Sequence, residues 1–500
     1  MPLPYLLACM DKKEASCLIF GGLLLFPCEE KLVNKTGLWY TPTMKKLRIC
    51  LAILACRLSR KLIRLLGRGG TDFPGRLAMK ICPDLLGVLA KNVTTVIVTG
   101  TNGKTTTARM IEQAIADSGI SYFANRSGAN LLTGILAEYA MHSTLSGKCR
   151  CEAAVIESDE AAFRHVSRYV DAKAVVVTNV FRDQLDRFGE VSQTIGSIVA
   201  GIQNSPNAVV CLNADDSLCA SIAEKVSNEV VWYGVNVPIY QERVEELSDA
   251  RYCPGCGQPY EYDYITYGHL GGYRCPGCGK TRVSPQVAVS QVKVSDAEHS
   301  EVVFSVGGME YPAVVNLPGG YNIYNAASCM AIGQALKLDP SVVVNSLSTF
   351  DCGFGRMEKF EIGSTTMRMI LIKNPAGCNQ VLNFLANMTE PAVFAICLND
   401  MAGDGKDVSW IWDVDFEKLH LLGDKVDQLI VGGMRADDMA VRLKYAGFAQ
   451  ENMTVCRDFG ELLETCSKQE KPVYLMPNYT AMLSMRELLS KRWGFSDYWE

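Results

Sequence analysis

Short apolar runs alternate with segments of helical period along most of this chain. The runs fall at 93–98, 153–157, 173–178, 207–212 and 229–233, and a helical pattern at 105–118 follows the first of them. Brief apolar runs between helical segments read as strands of a mostly parallel sheet covered by helices on both faces. A second series begins near 360, with strands at 367–373, 392–398, 427–432, 453–457 and 473–477, a helix at 376–388, and helices between the rest. It reads as a smaller α/β domain. Phosphate sites in such sheets lie at the carboxyl ends of the strands. Glu157 and Thr178 fall there, beside the turn that follows Val98.

The N-terminal region follows different rules. The run LIFGGLLLF at 18–26 is too short for a bilayer span, which needs about 20 residues. Met44 opens a better start, and residues 1–43 read as an upstream, non-native or disordered extension. From Met44 to Arg68 there are eight Lys or Arg and no acid. Leu51, Leu54, Leu58, Leu62 and Leu65 recur at helical spacing, with Arg57, Arg60, Lys61 and Arg64 on another face. Such a helix either lies on an anionic membrane surface or packs its leucines on the adjoining domain with its basic face solvated. Glycines at 67, 69, 70 and 75 then punctuate a connector reaching to about residue 92.

Composition narrows the classes. Five hundred residues, 48% hydrophobic and 21% charged, suffice for two to four cores. A net charge of −5 weighs against a nucleic-acid binder. Twenty scattered cysteines, many in apolar stretches, fit a reducing, cytoplasmic setting.

The chemistry is concentrated in TVIVTGTNGKTTTARM, residues 95–110. A strand breaks at Thr99-Gly100 and resumes as a helix near Thr105, the context a phosphate-binding loop requires. Glycines let backbone N–H groups turn inward as an anion nest at a helix N-terminus. Lys104 is placed to reach the β- and γ-phosphates and Thr105 to bind Mg²⁺. Gly100, Thr101, Asn102, Gly103, Lys104, Thr105 and Thr106 are the nucleotide-binding candidates.

A second motif is a pair of C-P-G-C knuckles at 253–256 and 275–278, separated by eighteen residues. That spacing matches a zinc ribbon in which Cys253, Cys256, Cys275 and Cys278 close a structural Cys₄ shell. A redox pair, or His269 in place of one thiolate, are the alternatives.

The loop GTNGKT is shorter than the general Walker A pattern and resembles that of the Mur ligase superfamily, ATP-dependent enzymes that join an amine to a carboxylate through an acyl phosphate. VIESDE at 155–160, TNVFRDQLDRFGE at 178–190, LNADD at 212–216, GGYNIYNAASCMA at 319–331 and GRMEKF at 355–360 are similar to other segments of those enzymes. The resemblance implies a Mur-ligase-type central P-loop ATPase domain over 93–354, with the zinc-ribbon insertion at about 248–284. A Rossmann-like α/β domain follows over 355–500. It makes Glu157 the Mg²⁺ ligand, with Glu160 as fallback, and sets Asn322 and Asn325 against adenine or ribose; helix capping is the alternative for that pair. Arg356 and Asn374 are expected to meet nucleotide or substrate. Gln184 stands where the ligases carry a metal-binding His, so a second metal site is in doubt.

No domain for gripping a nucleotide-linked precursor precedes the loop. IKNPAG at 372–377 and LNDMAGDGKDVSWIWD at 398–413 depart from the ordinary ligases. With the cysteine insertion, these features resemble the MurT family, synthetase subunits of lipid II isoglutaminyl synthase. That resemblance implies amidation of a D-glutamate α-carboxylate in lipid II, at the inner face of the plasma membrane. It also implies ammonia from a GatD-type glutaminase, whose triad Asp407 completes. Lys406 replaces the family's Arg and loses its bidentate fork. The catalytic candidates are therefore Lys104, Glu157 and Asp407, and the cofactors ATP, Mg²⁺ and structural Zn²⁺. Rival readings are an amino-acid-adding ligase of folylpolyglutamate-synthase type, a nucleic-acid-binding ATPase gripping through its ribbon, and a scaffold with a relic loop.

Overall fold

The computed structural model describes residues 42–65, 72–126, 129–182, 191–239, 249–295, 298–351, 356–386, 388 and 390–495. Within them, β1 (Thr94–Thr99), β2 (Tyr122–Ala124), β3 (Ala153–Glu157), β4 (Ala174–Val177), β5 (Val209–Asn213) and β6 (Val230–Val235) pair in parallel in the order β6-β5-β4-β1-β3-β2. Every strand that the alternation placed in this series is present. The reason is burial on both faces. Val96 and Val98 of β1 enter one core, while Ile97 between them enters the other. Successive side chains of a strand point to opposite faces, so a strand covered on both sides must be apolar throughout.

The sheet extends further than those runs indicated. Strands β9 (Val287–Ser295), β10 (Ser300–Val306) and β11 (Met309–Val315) continue it beyond β6, with β9 parallel to β6 and the last three mutually antiparallel. Between β6 and β9 the chain forms a separate two-stranded hairpin, β7 (Glu261–Tyr267) and β8 (Leu270–Arg274). The second sheet has the order β12-β13-β17-β14-β15-β16, from β12 (Arg356–Ile362), β13 (Thr365–Ile370), β14 (Ala392–Cys397), β15 (Val426–Gly432), β16 (Met453–Cys456) and β17 (Val473–Pro477). All its pairings are parallel except β12 with β13. It too has a core on each face.

Helix α1 (Pro42–Leu65) lies where the basic periodicity placed a helix and begins two residues ahead of Met44. Its orientation reverses the expectation of leucines inward and a basic face in water. Ile49, Ala52, Ile53 and Cys56 are the buried positions, and Leu51, Leu54, Leu58, Leu62 and Leu65 are exposed. The inward arginines have specific partners. Arg48 donates to the Ile81 carbonyl at 2.8 and 3.0 Å, at the end of helix α2 (Asp72–Ile81). Arg57 donates to Ala140, Met141 and Ser143 carbonyls, at the end of the helix Leu132–Met141. Cations at helix C-termini satisfy orphan carbonyls and oppose the negative dipole end. Arg60 pairs with the buried Glu138 at 2.8 Å.

Ile53 is fully buried while Leu58 is 65% exposed. We expect Ile53→Ala to lower stability by about 2–5 kcal/mol, and Leu58→Ala to change it by less than about 0.5 kcal/mol. Urea unfolding of the two variants checks the orientation; the opposite ranking refutes it.

Candidate nucleotide and metal sites

The loop leaves the carboxyl end of β1, between the ends of β4 and β3, and enters the helix Lys104–Asp117. Gly100 and Gly103 have φ of +116° and +81°, a region only glycine enters without strain. Space enforces the same choice. A Cβ on Gly100 would lie 2.4 Å from Thr178 Oγ1, and one on Gly103 would lie 2.2 Å from Asn325 Oδ1. The loop is therefore clamped from two sides. On one, the Thr101 amide donates to the Asn179 carbonyl at 2.9 Å, the Asn102 amide to Asn179 Oδ1 at 2.9 Å, and Thr178 Oγ1 to the Asn102 carbonyl at 2.7 Å.

On the other side stands the helix Gly320–Leu336. Asn325 accepts from Thr107 Oγ1 at 3.3 Å and donates to Asn322 Oδ1 at 3.0 Å, while Asn322 donates to the Pro318 carbonyl at 2.7 Å. The asparagine pair thus braces one helix start against another, and both residues also face the cleft.

Lys104 Nζ bonds the Thr101 carbonyl at 3.2 Å and Glu160 Oε1 at 3.1 Å. Burial pushes the Glu160 carboxyl above its ordinary value, and the Lys104 charge opposes that shift. Glu160 is thereby the counter-ion of the loop lysine, whereas the sequence had offered it only as the fallback to Glu157 as metal ligand. Glu157 ends β3 in the cleft and has no ion-pair partner among the described residues. Its backbone is fixed by Asn125, which accepts from the Glu157 amide at 2.8 Å and donates to its carbonyl at 2.7 Å. Thr105 and Glu157 line the same cavity, so a hydroxyl and an unpaired carboxylate offer the hard oxygen donors that Mg²⁺ takes.

That cavity, about 1180 Å³, runs from the phosphate loop to the second α/β unit, with Lys373, Asp404 and Tyr479 on its far wall. Asn374 Nδ2 donates to Asn102 Oδ1 at 3.0 Å, so the two units meet at the loop itself. Arg109 and Arg126 add cations that sequence reasoning passed over. Arg109 lies five residues beyond Lys104 on the same helix, a spacing that could have marked it. Arg126 pairs with the buried Glu112 at 2.7 Å. Arg356 lies in β12, but its side chain is outside the described residues, as are Asp183, Gln184 and Asp186.

Asp407 is exposed, away from the cavity lining. It accepts from the Ser409 amide at 2.8 Å, and its hydrogen bonds with Ser409 hold its carboxyl below the ordinary range. The segment that presents it is pinned from below. Arg442 donates to the Ile411 carbonyl at 3.1 Å and pairs with Glu417 at 2.9 Å. Asp404, in the same segment, instead turns inward and accepts from the Thr480 amide at 2.8 Å.

The four knuckle cysteines converge, with all sulfurs within 4.8 Å of one another. Sγ of Cys253 is 3.6 Å from that of Cys278, and Cys256 is 3.3 Å from Cys275. The two turns repeat each other. Cys253 and Cys275 amides donate to the Gln258 and Lys280 carbonyls at 2.8 and 2.7 Å, and Gly257 and Gly279 donate back at 2.8 and 3.0 Å. His269 is no part of this cluster. It is fully buried, 3.1 Å from Asp216 Oδ1, which ends its candidacy as a ligand.

Asp215 and Asp216 form a hub that sequence reasoning noted only as a loop. Asp215 accepts from Arg282 Nε and Tyr324 OH, both at 2.6 Å, and from the Val235 amide at 2.8 Å. Asp216 accepts from the Val180 and Leu218 amides at 2.8 Å. Burial pulls the Asp216 pKa up, but His269 and these amides outweigh it and hold the group below the ordinary range.

A parallel sheet with this short loop, a crossing helix braced by asparagines and a second α/β unit at the cleft defines a Mur-ligase-type nucleotide-binding protein. A Mur ligase middle-domain model matches residues 98–252, and a MurT ligase C-terminal model matches residues 371–482. The MurT subunit of glutamine-hydrolysing lipid II isoglutaminyl synthase from Streptococcus pneumoniae is 34% identical over 448 residues, 89% of this chain and 98% of that protein. Its counterpart from Staphylococcus aureus is 34% identical over 441 residues, 88% of this chain and 97% of that protein. In fold, a pseudomurein peptide ligase type C from Methanothermus fervidus superposes with a TM-score of 0.63 at 23% identity, covering 82% of this chain and 80% of that one. MurF ligase from Thermotoga maritima in complex with ADP gives 0.57 at 14%, covering 84% and 85%. The chain belongs to the MurT family.

Gly103→Ala should weaken ATP binding roughly tenfold or more by displacing Asn325 or the loop, whereas Gly196→Ala, with open space around its Cβ, should leave binding unchanged. Titration with a fluorescent ATP analogue reads both; unaltered affinity in Gly103→Ala removes the clamp from the account.

Proposed function

We propose that this chain is the synthetase subunit of a lipid II isoglutaminyl synthase. It amidates the α-carboxylate of D-glutamate in the lipid II stem peptide to D-isoglutamine, using ATP and ammonia from a GatD-type glutaminase. The observation that carries this reading is the single cleft joining the Lys104 loop to the second α/β unit through Asn102 and Asn374. Phosphate and acceptor carboxylate can meet there, and proximity is a large part of what such a reaction needs.

A carboxylate is a poor electrophile. Its oxygen attacks the γ-phosphorus of ATP, ADP leaves, and the acyl phosphate so formed carries a good leaving group. Ammonia adds to the acyl carbon, loses a proton, and inorganic phosphate departs, leaving the amide. Lys104, with the loop amides, disperses charge on the transferring phosphoryl group. To do so it exchanges the Glu160 carboxylate for phosphate oxygen. Thr105 and Glu157 would hold Mg²⁺, which neutralises charge on the phosphates. Asn322, Asn325 and Arg356 contribute to the nucleotide pocket, together with Gly100, Thr101, Asn102, Gly103 and Thr106.

Asp407 faces outward and is assigned to the partner, where its carboxylate orients the glutaminase imidazole and stabilises its cation. The cysteine cluster is assigned to structural zinc. A tetrahedral shell with Zn–S near 2.3 Å requires sulfurs about 3.8 Å apart, and the observed spacings approach that figure. We assign the domains at the boundaries suggested by the sequence, with the insertion at about 248–284. The reaction is placed at the cytoplasmic face of the plasma membrane; no helix among the described residues is long and apolar enough to cross one.

The test is amidation of purified lipid II with MgATP, read by mass spectrometry, using ammonium alone or glutamine with the co-expressed partner. Attachment of an added amino acid instead of an amide sinks the reading in favour of an amino-acid ligase. Asp407→Asn should suppress glutamine-driven turnover by about 100-fold or more and spare ammonium-driven turnover; equal loss with both nitrogen sources moves Asp407 out of the partner's triad. Cys253→Ser should lose zinc and solubility together, read by metal analysis and sedimentation, and a folded, active, zinc-free variant refutes the structural role.

A further inference from the structure

The leucines of α1 stand out as an apolar surface without a partner among the described residues. Leu51, Leu54, Leu58, Leu62 and Leu65 are 48%, 36%, 65%, 59% and 75% exposed. At 100° per residue they fall within an arc of about 80°, one continuous stripe along four turns. The opposite face of the same helix is already committed to the core through Ile49, Ala52, Ile53 and Cys56. Exposing such a stripe to water is unfavourable, and its regular spacing separates it from the scattered single leucines normal on a surface.

Charge identifies what covers it. No acidic residue occurs between Pro42 and Leu65; exposed Lys61 borders the stripe, and exposed Arg64 lies about 80° further round the helix. A second copy of this helix would bring like charges together with no acid to answer them, whereas helix pairing normally relies on complementary flanks. An apolar stripe bordered by a lysine, on a helix that carries cations and no acid, suits anionic headgroups and acyl chains. A spanning mode is closed to it by its own charges. We propose that α1 lies flat on an anionic lipid bilayer, its five leucines inserted at the headgroup boundary. Arg60 and Arg64 also line the cleft that holds the phosphate loop. The docked helix therefore brings one end of that cleft to the membrane surface, where a lipid-linked peptide enters without leaving the bilayer. This purpose rests on the lipid II reading; the binding itself does not.

The experiment is flotation of the full chain with phosphatidylglycerol-containing vesicles or with pure phosphatidylcholine vesicles, without nucleotide, substrate or partner. The wild-type chain is expected to float with the anionic vesicles and to bind the neutral ones weakly. Leu58→Glu/Leu62→Glu should reduce flotation by about tenfold or more with an unchanged thermal midpoint, and the milder Leu58→Gln/Leu62→Gln serves if the first misfolds. Equal flotation of wild type and variant overturns the proposal, because the binding then resides elsewhere, residues 1–41 included. So does a wild-type dimer in light scattering that the same substitutions dissociate. Since the assay contains no substrate, its failure leaves the amidation reading standing, and failed amidation leaves this proposal standing.

Discussion

Everything at the candidate nucleotide site depends on a backbone segment with no room for a side chain at either of its glycines, Gly100 and Gly103. The loop from Gly100 to Gly103 is pressed between Thr178 and Asn179 on one side and Asn325 on the other. This contact fixes where β1 stops and where the helix Lys104–Asp117 starts. It also fixes the position of the helix Gly320–Leu336, far away in sequence. The amides of a nest bind an anion well only if they converge before it arrives. Here Thr178, Asn179 and Asn325 fix the loop backbone in advance, the Thr101 and Asn102 amides being held by Asn179.

The cysteine hairpin is tied into the same frame by ionisable groups in the interior. Asp215 takes Arg282, which follows the second knuckle by four residues, and Asp216 takes His269 at the hairpin's tip. Breaking a buried ion pair by removing one member is strongly destabilising, because the other charge is left without compensation. Tyr324 joins Asp215 to the helix that carries Asn322 and Asn325. The hairpin and the helix that braces the loop thus share one buried carboxylate, Asp215.

The parallel strands were readable because both their faces are covered, which leaves an uninterrupted apolar run. The strands β9, β10 and β11 were not among those read. After Val289 no residue of β9 is buried: half-buried Ser290 and Val292 alternate with exposed Gln291 and Lys293, and Ser, Gln and Lys interrupt the apolar signal. Helix α1 shows a different limit. Its period disclosed two faces, but period alone cannot say which one turns inward. The direction was decided by helix ends elsewhere in the chain, whose carbonyls Arg48 and Arg57 satisfy. Among site residues, Lys104 and Glu157 announced themselves through the loop and the strand end. The tie between Lys104 and Glu160 required the helix after β3 to fold back beside the loop. The cysteines were plain from spacing, while the exclusion of His269 needed its burial against Asp216.

The contact between Asn102 and Asn374 has a consequence for how the cleft is entered. It joins two neutral amides, and such a bond contributes only about 0.5–1.5 kcal/mol. The nearby pair of Arg182 and Asp413, at 2.5 Å, is substantially exposed on both sides and adds about 1 kcal/mol or less. The pair of Arg368 and Glu298, at 3.6 Å and open to water at the glutamate, is a third polar tie between the lobes among the described residues, and Ala376 packs against the core of the first. Polar ties of this kind cost little to part, so the walls of the cleft are joined far more weakly than the interior of either lobe. Re-forming them needs no covalent change.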